Sequence, residues 1–138
     1  MSEYHEIKTE YRDKDELIAA LNEVGYKVVE DHEIAQSLYG YHGDRRKDTA
    51  NIIVRRQYVG SAANDLGFIK KADGTYGAIV SVYDQGKHNK TWFDGLKKVY
   101  SEKVGRKTAE GLGFQYLGEA VVNGKKQIQY GRVVAGGR

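Results

Sequence analysis

The chain has 138 residues and a formal net charge of +3, from 22 lysine and arginine and 19 aspartate and glutamate residues. Hydrophobic residues make up 40% of it and charged residues 30%, which is typical of a globular protein and excludes a disordered chain. We expect one domain over residues 1–138, because two domains in this length would each be too small to enclose a core. The weakly basic balance does not by itself select a class of partner.

The chain contains no cysteine, which excludes disulfides, thiolate catalysis and cysteine-based zinc sites. No apolar stretch approaches the length that spans a bilayer, so we expect no membrane contact. The opening residues, MSEYHEIK, lack the basic start and apolar run of a secretory signal. A cytoplasmic protein is therefore expected by default.

The first predicted elements are a strand, a helix and a second strand. Residues 4–12 resemble a strand, and Asp13 follows as a helix N-cap with Glu16 three residues later, close to a capping box. Gly25 is expected to end this helix, and residues 26–30 to form the next strand, after which alternation fades through residue 38. The apolar positions of the helix recur at helical spacing, at Leu17, Ile18, Leu21 and Val24.

The middle of the chain predicts a loop, a strand and a hairpin. Residues 39–48 are glycine-rich and charged, as in a loop, and residues 49–59 have the composition of a strand. Residues 66–83 predict a hairpin around Asp73-Gly74, because Asp-Gly between two apolar alternations is a strong hairpin signal. Residues 84–90 are polar and predict a second loop.

The last third of the chain predicts a helix and a second hairpin. Thr91 is the expected N-cap of the helix, and Gly105 is expected to kink or break it. A hairpin around Asn123-Gly124 follows, and residues 135–138 are expected to fray. The apolar face of the helix consists of Trp92, Phe93, Leu96, Val99, Tyr100 and Val104.

The order of these elements predicts an α+β fold with an antiparallel sheet and two main helices on one face. Residues 21–26 and 109–114 echo each other as a helix end, a glycine stop and an aromatic residue. The chain can therefore be divided into two pseudo-repeated strand-helix-strand-strand units, the second preceded by an extra strand. Such units commonly merge into one sheet, and its other face would be exposed or would pair with a partner.

The sequence holds no catalytic signature. It has neither a phosphate loop nor a Gly-x-Ser-x-Gly elbow, and no two of its four histidines have the helical spacing of a metalloprotease. We therefore expect no metal and no cofactor, and we favour a non-enzymatic protein. His42 and Asp44 are the pair that an enzyme of this sequence would most readily use.

The loop at residues 39–47 is the strongest candidate for a binding site. Arginine donates bidentate hydrogen bonds to phosphate or carboxylate, tyrosine offers a stacking face, and glycine lets the backbone approach a ligand. The alternative is a solvated turn whose tyrosines pack on the sheet edge. Arg55 and Arg56 would point to opposite faces of a strand, so only one of them could join the loop. The candidate ligand-binding residues are Tyr39, Tyr41, His42, Asp44, Arg45, Arg46 and Arg55.

Two functions are consistent with this composition. Eleven tyrosines against three phenylalanines suit a binding or adaptor domain that acts through protein–protein contacts or self-association, since interfaces favour tyrosine. The alternative is a binder of a phosphate-bearing ligand, either nucleic acid or a small nucleotide, through residues 39–47. The tyrosines would also suit the plain role of covering the core edges of a small domain.

The chain also resembles a known family. Its opening, YHEIKTEYRDKDELIAALNEVGY, is similar to the start of the plastid- and cyanobacteria-encoded hypothetical proteins called ycf thirty-five, whose domain is one of unknown function (number twelve fifty-seven). The resemblance continues in order through Gly40-Tyr41-x-Gly43-Asp44, the strand at Ile52-Ile53-Val54-Arg55, Leu66-Gly67-Phe68 and Gly113-Phe114. Residues 81–86 depart from the acidic, tryptophan-containing stretch of that family. The resemblance implies no activity and no catalytic residues.

Overall fold

The computed structural model describes residues 3–132, so the predicted frayed tail at residues 135–138 lies outside the described part. The α+β class is confirmed. A single turn of 3-10 helix covers Tyr83–Gly86. The strands are β1 (Tyr4–Lys8), β2 (Glu30–Tyr39), β3 (Arg45–Val54), β4 (Leu66–Lys70), β5 (Tyr76–Ser81), β6 (Phe114–Val122) and β7 (Lys125–Arg132), and the helices are α1 (Lys14–Glu23), α2 (Arg56–Val59) and α3 (Lys90–Gly111).

Five strands form one antiparallel sheet in the order β1-β5-β4-β3-β2, and α1 and α3 pack together on one of its faces. The two helices on one face are therefore as predicted. The side chains that pack between helices and sheet are largely withdrawn from solvent, and they include Leu17 and Leu21 of α1, Leu96 and Tyr100 of α3, and Ile52, Phe68, Ala78 and Val80 of the sheet. Within residues 3–132, no helix is both long enough and apolar enough to cross a membrane.

The second predicted unit does not merge with this sheet. In the part of the chain that the structure describes, β6 and β7 pair only with each other, as a separate two-stranded sheet around Asn123-Gly124. The physical reason is α3, which runs for 22 residues without a break at Gly105. A helix of that length spans about 33 Å, so it carries the chain past the end of the main sheet before β6 begins.

The two long helices begin at different kinds of cap. The predicted cap of α1 is confirmed, because Asp13 Oδ1 accepts a hydrogen bond from the Glu16 amide at 3.1 Å. The predicted Thr91 cap of α3 is wrong. Asn89 caps this helix by accepting from the Trp92 amide at 3.0 Å, and its own amide group donates to the Gly86 carbonyl at 3.0 Å. The preceding 3-10 turn thus holds the Asn89 side chain in the capping position.

The strands β2 and β3 differ most from the sequence prediction. The expected strand at residues 26–30 is wrong, since β2 begins at Glu30, and the expected loop at residues 39–48 is the tip of a hairpin whose second strand begins at Arg45. The pairing of β2 with β3 shifts register between Asp31 and Gln36 and again between Ser37 and Tyr39. Each shift breaks the period-two alternation, which is why the sequence of β2 does not look like a strand.

The same shifts fold the β2–β3 hairpin over the sheet face that the helices leave free. Leu38, Ala50, Ile53 and Ile79 form a second buried cluster there, with Tyr4 and Ile69 packed against it. Gly67 makes the close approach possible, since a Cβ at this position would lie 2.6 Å from the Ala50 Cβ and 3.0 Å from a Leu38 methyl. This face is therefore covered in part by the chain itself, where an exposed face or a partner was expected.

Candidate functional site

The hairpin tip, residues 39–46, is a tightly closed turn. The Gly40 amide donates to the Asp44 carbonyl at 2.9 Å, and the Gly43 amide donates to the Gly40 carbonyl at 2.9 Å. Gly43 has a φ of +77°, which glycine adopts without strain. A Cβ at Gly40 would lie 2.6 Å from Asp44 Oδ1. The Asp44 carboxylate therefore folds over Gly40, and the spacing Gly40-Tyr41-x-Gly43-Asp44 is what this turn requires.

Two buried side chains fasten the tip to the segment before β4. The Tyr39 amide donates to Asp65 Oδ2 at 2.7 Å, and the Tyr41 amide donates to Asn64 Oδ1 at 2.8 Å. The Asp65 amide returns a hydrogen bond to the Tyr39 carbonyl at 3.0 Å. Asn64 and Asp65 are only 5% and 2% exposed, so these bonds are shielded from competing water.

Asp65 also joins the tip to α2. Its carboxylate accepts from the Arg56 amide at 2.7 Å and from Arg55 Nη1 at 2.9 Å. Arg55 reaches Glu30 at 2.9 Å on its other side, and this hydrogen bond, helped by one from His32, lowers the pKa of Glu30. Arg55 is thus an anchor between β2 and the segment before β4.

A second buried carboxylate supports Asn64 from below. Asp84 Oδ2 accepts hydrogen bonds from the Asn64 amide at 2.9 Å, from Asn64 Nδ2 at 3.2 Å and from Ser81 Oγ at 2.8 Å. Asn64, Ser81 and Asp84 are all buried. The tip therefore rests on a polar network that continues to the end of β5 and its 3-10 turn.

Tyr4 of β1 completes the support from the far edge of the sheet. Its hydroxyl donates to the Asp65 carbonyl at 2.8 Å, and the Arg46 guanidinium lies over its ring, 5.3 Å from the centroid. Burial raises the pKa of Tyr4, so its hydroxyl stays protonated as a donor. The tip has therefore crossed the whole sheet from β2 to β1.

The tip and the segments beneath it enclose a surface pocket of about 270 Å³, called the tip pocket below. Four predicted site residues line it, namely Tyr41, His42, Asp44 and Arg46, and they are joined by Ala62, Asn64 and Tyr83. Arg46 Nη1 lies 3.7 Å from Asp44 Oδ2, and the Arg46 side chain is 13% exposed. The pocket thus combines aromatic walls, a largely buried cation and polar groups fixed by hydrogen bonds.

Three predicted site residues do not line the tip pocket. Arg55 is held by Asp65 and Glu30, and Tyr39 lies under its guanidinium with the ring centroid 5.6 Å away. Arg45 Nε instead donates to Ser37 Oγ at 3.0 Å on the exposed side of the hairpin. These three residues hold or flank the tip, and the other four predicted site residues line the pocket.

The expectation that only one of Arg55 and Arg56 can reach the loop is wrong. Both lie at the start of α2 rather than in a strand, because β3 ends at Val54. The Arg56 guanidinium lies 5.9 Å from the centroid of Tyr41, and Arg55 lies over Tyr39. Each arginine therefore contacts a different tyrosine of the tip.

Sequence reasoning missed Asn64, Tyr83 and the buried carboxylates Asp65 and Asp84. Asn64-Asp65 looks like an ordinary polar turn before β4, and Tyr83-Asp84 looks like the end of a strand. The available signal was Arg55 ten residues before Asp65, a pair of opposite charges flanking a short segment. Only the folded hairpin brings these residues to residues 39–46, which lie about 20 or more positions away along the chain.

The chemistry available in the tip pocket is recognition by hydrogen bonding, charge and ring stacking. Among residues 3–132, no group of three or more histidine, aspartate or glutamate side chains is placed to hold a metal ion. The His42 ring contacts Tyr41 at a centroid distance of 4.7 Å, and Asp44 is directed to Gly40 and Arg46. The arrangement defines an α+β protein with a preformed, aromatic and basic surface pocket.

A comparison with known protein families identifies the family of this chain. The chain matches, over residues 20–129, the family described as "Protein of unknown function (DUF1257)", and it belongs to that family. No curated protein and no solved structure matches the chain. The matched range contains the whole hairpin tip, Asn64-Asp65 and Gly67, whose side-chain and backbone roles are given above.

Proposed function

We propose that this protein is a binding module that uses the tip pocket and the tyrosines around it to contact a segment of a partner protein. The observation that carries the proposal is the exposure of Tyr41 and Tyr83, 45% and 62%, on either side of a concave pocket. Tyrosine and arginine are enriched at protein interfaces because they combine a large contact area with hydrogen bonding. Arg56 beside Tyr41 adds the matching cation.

The rigidity of the tip supports this proposal. The amides of Tyr39 and Tyr41 are bonded to buried Asp65 and Asn64, so the backbone under the pocket is ordered before any partner arrives. A preformed site loses less conformational entropy on binding than a mobile loop. A partner can therefore bury the exposed rings of Tyr41 and Tyr83 without the added cost of ordering the backbone beneath them.

The test uses a random peptide display library selected on the immobilised protein. Peptides that bind are then titrated against Tyr83→Ala and against Tyr58→Ala, which removes an exposed tyrosine of α2 that does not line the pocket. We expect at least a tenfold loss of affinity for Tyr83→Ala, about 1.4 kcal/mol or more, and little change for Tyr58→Ala. Equal losses in both variants, or no selected peptide, would contradict the proposal.

A phosphate-bearing ligand, nucleic acid or small nucleotide, is the second candidate function. The observation that favours it is the pair of cations at the pocket, Arg46 on its lining and Arg56 over Tyr41. Arginine binds phosphate with two parallel hydrogen bonds, and tyrosine stacks on a base. Arg55 is less suited, since Asp65 and Glu30 already occupy it.

This second function predicts thermal stabilisation by nucleotides. A panel of nucleotides should raise the melting temperature of the unmodified protein, and Arg56→Ala should remove that shift. Binding of single-stranded nucleic acid should weaken steeply as salt rises, because released counterions drive it. A melting temperature that does not respond to any member of the panel, together with salt-independent or absent nucleic-acid binding, rejects this candidate.

Two finer assignments belong to the same proposal. The ordered motifs from His5 to Phe114 support placing the chain in the ycf thirty-five group of its family, and we assign a cytoplasmic location with it. Fractionation of cells that produce the tagged protein tests the location. Recovery with membranes or outside the cytoplasm would contradict it.

A further inference from the structure

The free edge of β1 is the second unusual surface of this molecule. Among residues 3–132, β1 lies at one edge of the main sheet and pairs with β5 alone, over five residues without a register shift. The opposite edge, β2, is interrupted by two register shifts and is a poor template for another strand. Regular edge strands present unpaired N–H and C=O groups to whatever strand approaches.

The hydrogen-bond pattern fixes which groups of β1 point outward. The Val82 amide donates to the Glu3 carbonyl at 2.7 Å, so Glu3 is bonded inward to the sheet. In antiparallel pairing this inward bonding recurs at every second residue, which assigns His5 and Ile7 to the inner side. The backbone groups of Tyr4, Glu6 and Lys8 therefore face the open edge.

A groove of about 530 Å³ runs beside this edge on the helix side. The end of β1 and the segment after it form one wall, and α3 forms the other. Its apolar floor consists of Ile7, Tyr11, Phe93 and Tyr100, with Lys97 and Ser101 on the α3 side. A strand added to β1 would place the side chains of one of its faces in this groove.

We propose that β1 pairs with β1 of a second copy of this chain, antiparallel and with Glu6 opposite Lys8 of the other copy. The charges of the strand select this partner. Glu6 and Lys8 both lie on the helix-free face and are exposed. Glu6 contacts Lys71 of its own copy at 2.8 Å, and a two-fold axis adds Lys8 of the other copy opposite it, so the dimer gains two opposed pairs of opposite charge. Opposite charges in directly opposed positions stabilise strand pairing, and like charges oppose it.

The same residues disfavour one neighbouring register. A two-fold axis centred on Glu6 would place the two Glu6 carboxylates opposite each other. The proposed register instead centres the axis on Ile7, which pairs with Ile7 of the second copy in a non-hydrogen-bonded position, where side chains approach most closely. Ile7 packs against the helix-side core, so the second Ile7 enters the groove beside Phe93.

The dimer joins two five-stranded sheets into one sheet of ten strands and uses a different surface from the tip pocket. Such an interface is isologous, as expected for a two-fold homodimer. The tyrosine content suggests self-association, and this dimer assigns that self-association to a defined surface. Binding of selected peptides at the tip is measured on the same samples, so failure of the dimer and failure of the tip pocket are separate results.

A charge exchange tests the register. Glu6→Lys places lysine opposite Lys8, and Lys8→Glu places glutamate opposite Glu6, so each variant alone should be monomeric by size-exclusion chromatography with light scattering. Mixing the two variants restores both opposed pairs, and an equimolar mixture should return to the mass of a dimer. An unmodified protein that stays monomeric at its highest soluble concentration, or variants that remain dimeric alone, would overturn the proposal.

A single cysteine tests the axis directly, because the chain has none of its own. Ile7→Cys should form a disulfide-linked dimer on mild oxidation, since opposed residues have Cβ atoms about 4.5–5.5 Å apart. His5→Cys is the matched control on the same face; the two copies of residue 5 would be offset by about 13 Å, too far for a disulfide. Circular dichroism confirms that each variant is folded. Equal cross-linking at both positions, or none at residue 7, overturns the register.

Discussion

The two long hairpins of this protein have similar strand lengths and opposite relations to the core. β2 and β3 place Leu38, Ala50, Ile52 and Ile53 fully inside the protein, at 0% exposure. Neither β6 nor β7 contains a buried residue. One hairpin is thus a layer of the core, and the other is attached to the outside of α3.

The contacts that hold the two hairpins differ in the same way. Buried Asn64 and Asp65 fix the β2–β3 tip by hydrogen bonds to its backbone. The β6–β7 hairpin is held to α3 by Arg106, stacked 3.4 Å from the centroid of Tyr116, and by Lys126, which contacts Glu102 at 2.8 Å. Segments with few buried contacts open at a lower free energy than the core. A preformed site is therefore expected at the tip.

Asp65→Ala is expected to have the largest effect, because it removes the link between the hairpin tip and α2. The substitution leaves Arg55 and two backbone amides without their buried acceptor and should cost about 3–5 kcal/mol of unfolding free energy. Urea unfolding measures this loss. Asp94→Ala is the control, since Asp94 forms an exposed pair with Lys90 and its loss should cost less than about 0.5 kcal/mol. Equal destabilisation by both would show that the tip is no better anchored than the surface.

Acid should weaken the core through His88. This side chain is 1% exposed, its Nε2 lies 2.6 Å from the Tyr26 hydroxyl, and burial lowers its pKa to about 4. Because the unfolded chain binds the proton near pH 6.5, stability is full above that pH and falls as the pH drops from 6.5 to 4, by roughly 3 kcal/mol.

The matched pair for this prediction is His88→Gln and His5→Gln. The urea midpoint of unfolding is recorded between pH 4 and 7 for each variant. Its dependence on pH should disappear in His88→Gln and persist in His5→Gln, because the His5 side chain is 54% exposed. The nearby charges that act on His88 are Asp84, which favours its protonated form, and Lys87, which opposes it. If the urea midpoint of His88→Gln kept the same dependence on pH, groups other than His88 would be responsible for the loss of stability in acid.

Gly67→Ala tests how tightly the β2–β3 hairpin packs on β4 at the second buried cluster. The new methyl group would overlap Ala50 and Leu38, so we expect a loss of about 1–3 kcal/mol from overpacking. Gly95→Ala in α3 is the control with the opposite sign. Its Cβ would meet no atom within 4 Å, and alanine in a helix interior should add up to about 1 kcal/mol. A harmless Gly67→Ala would mean that β2 does not pack tightly on β4.

Arg106→Gln should have the smallest global effect and the most local one. Loss of the contact with Tyr116 should cost about 0.5–1 kcal/mol, the range for an exposed cation–π pair. Amide hydrogen exchange should accelerate in β6 and β7 and stay unchanged in β2 and β3. Acceleration throughout the chain would instead make the β6–β7 hairpin part of the same cooperative unit as the core.

The sequence located the elements that local chemistry specifies. Asp73-Gly74 and Asn123-Gly124 mark two hairpins because their turns need residues that tolerate positive φ, and Asn123 and Gly124 have φ values of 52° and 75°. Asp13 marks a helix start through a bond to an amide three residues later. Each of these signals lies within a few residues, so the chain displays it without any tertiary context.

Local sequence signals could not predict the β2–β3 hairpin, because its register shifts depend on residues that are distant in sequence. Asn51 Nδ2 donates to the carbonyls of His32 and Glu33, at 3.2 and 3.1 Å, and Asn51 Oδ1 accepts from the Lys70 amide at 2.9 Å. Asn51 thus bridges β2 and β4 where regular pairing stops. A strand whose irregularity is stabilised by another strand shows no alternation of its own.

The sequence alone determined the α+β class, the two helices on one sheet face, and residues 39–46 as an unusual aromatic and basic segment. The tertiary structure decided what that segment is: a hairpin tip that crosses the sheet and forms a pocket with Ala62, Asn64 and Tyr83. It also decided which arginine faces the pocket and which anchors it. The reason is physical, since buried carboxylates such as Asp65 select their partners by proximity in the fold, and proximity between residues far apart in sequence is not encoded in local pattern.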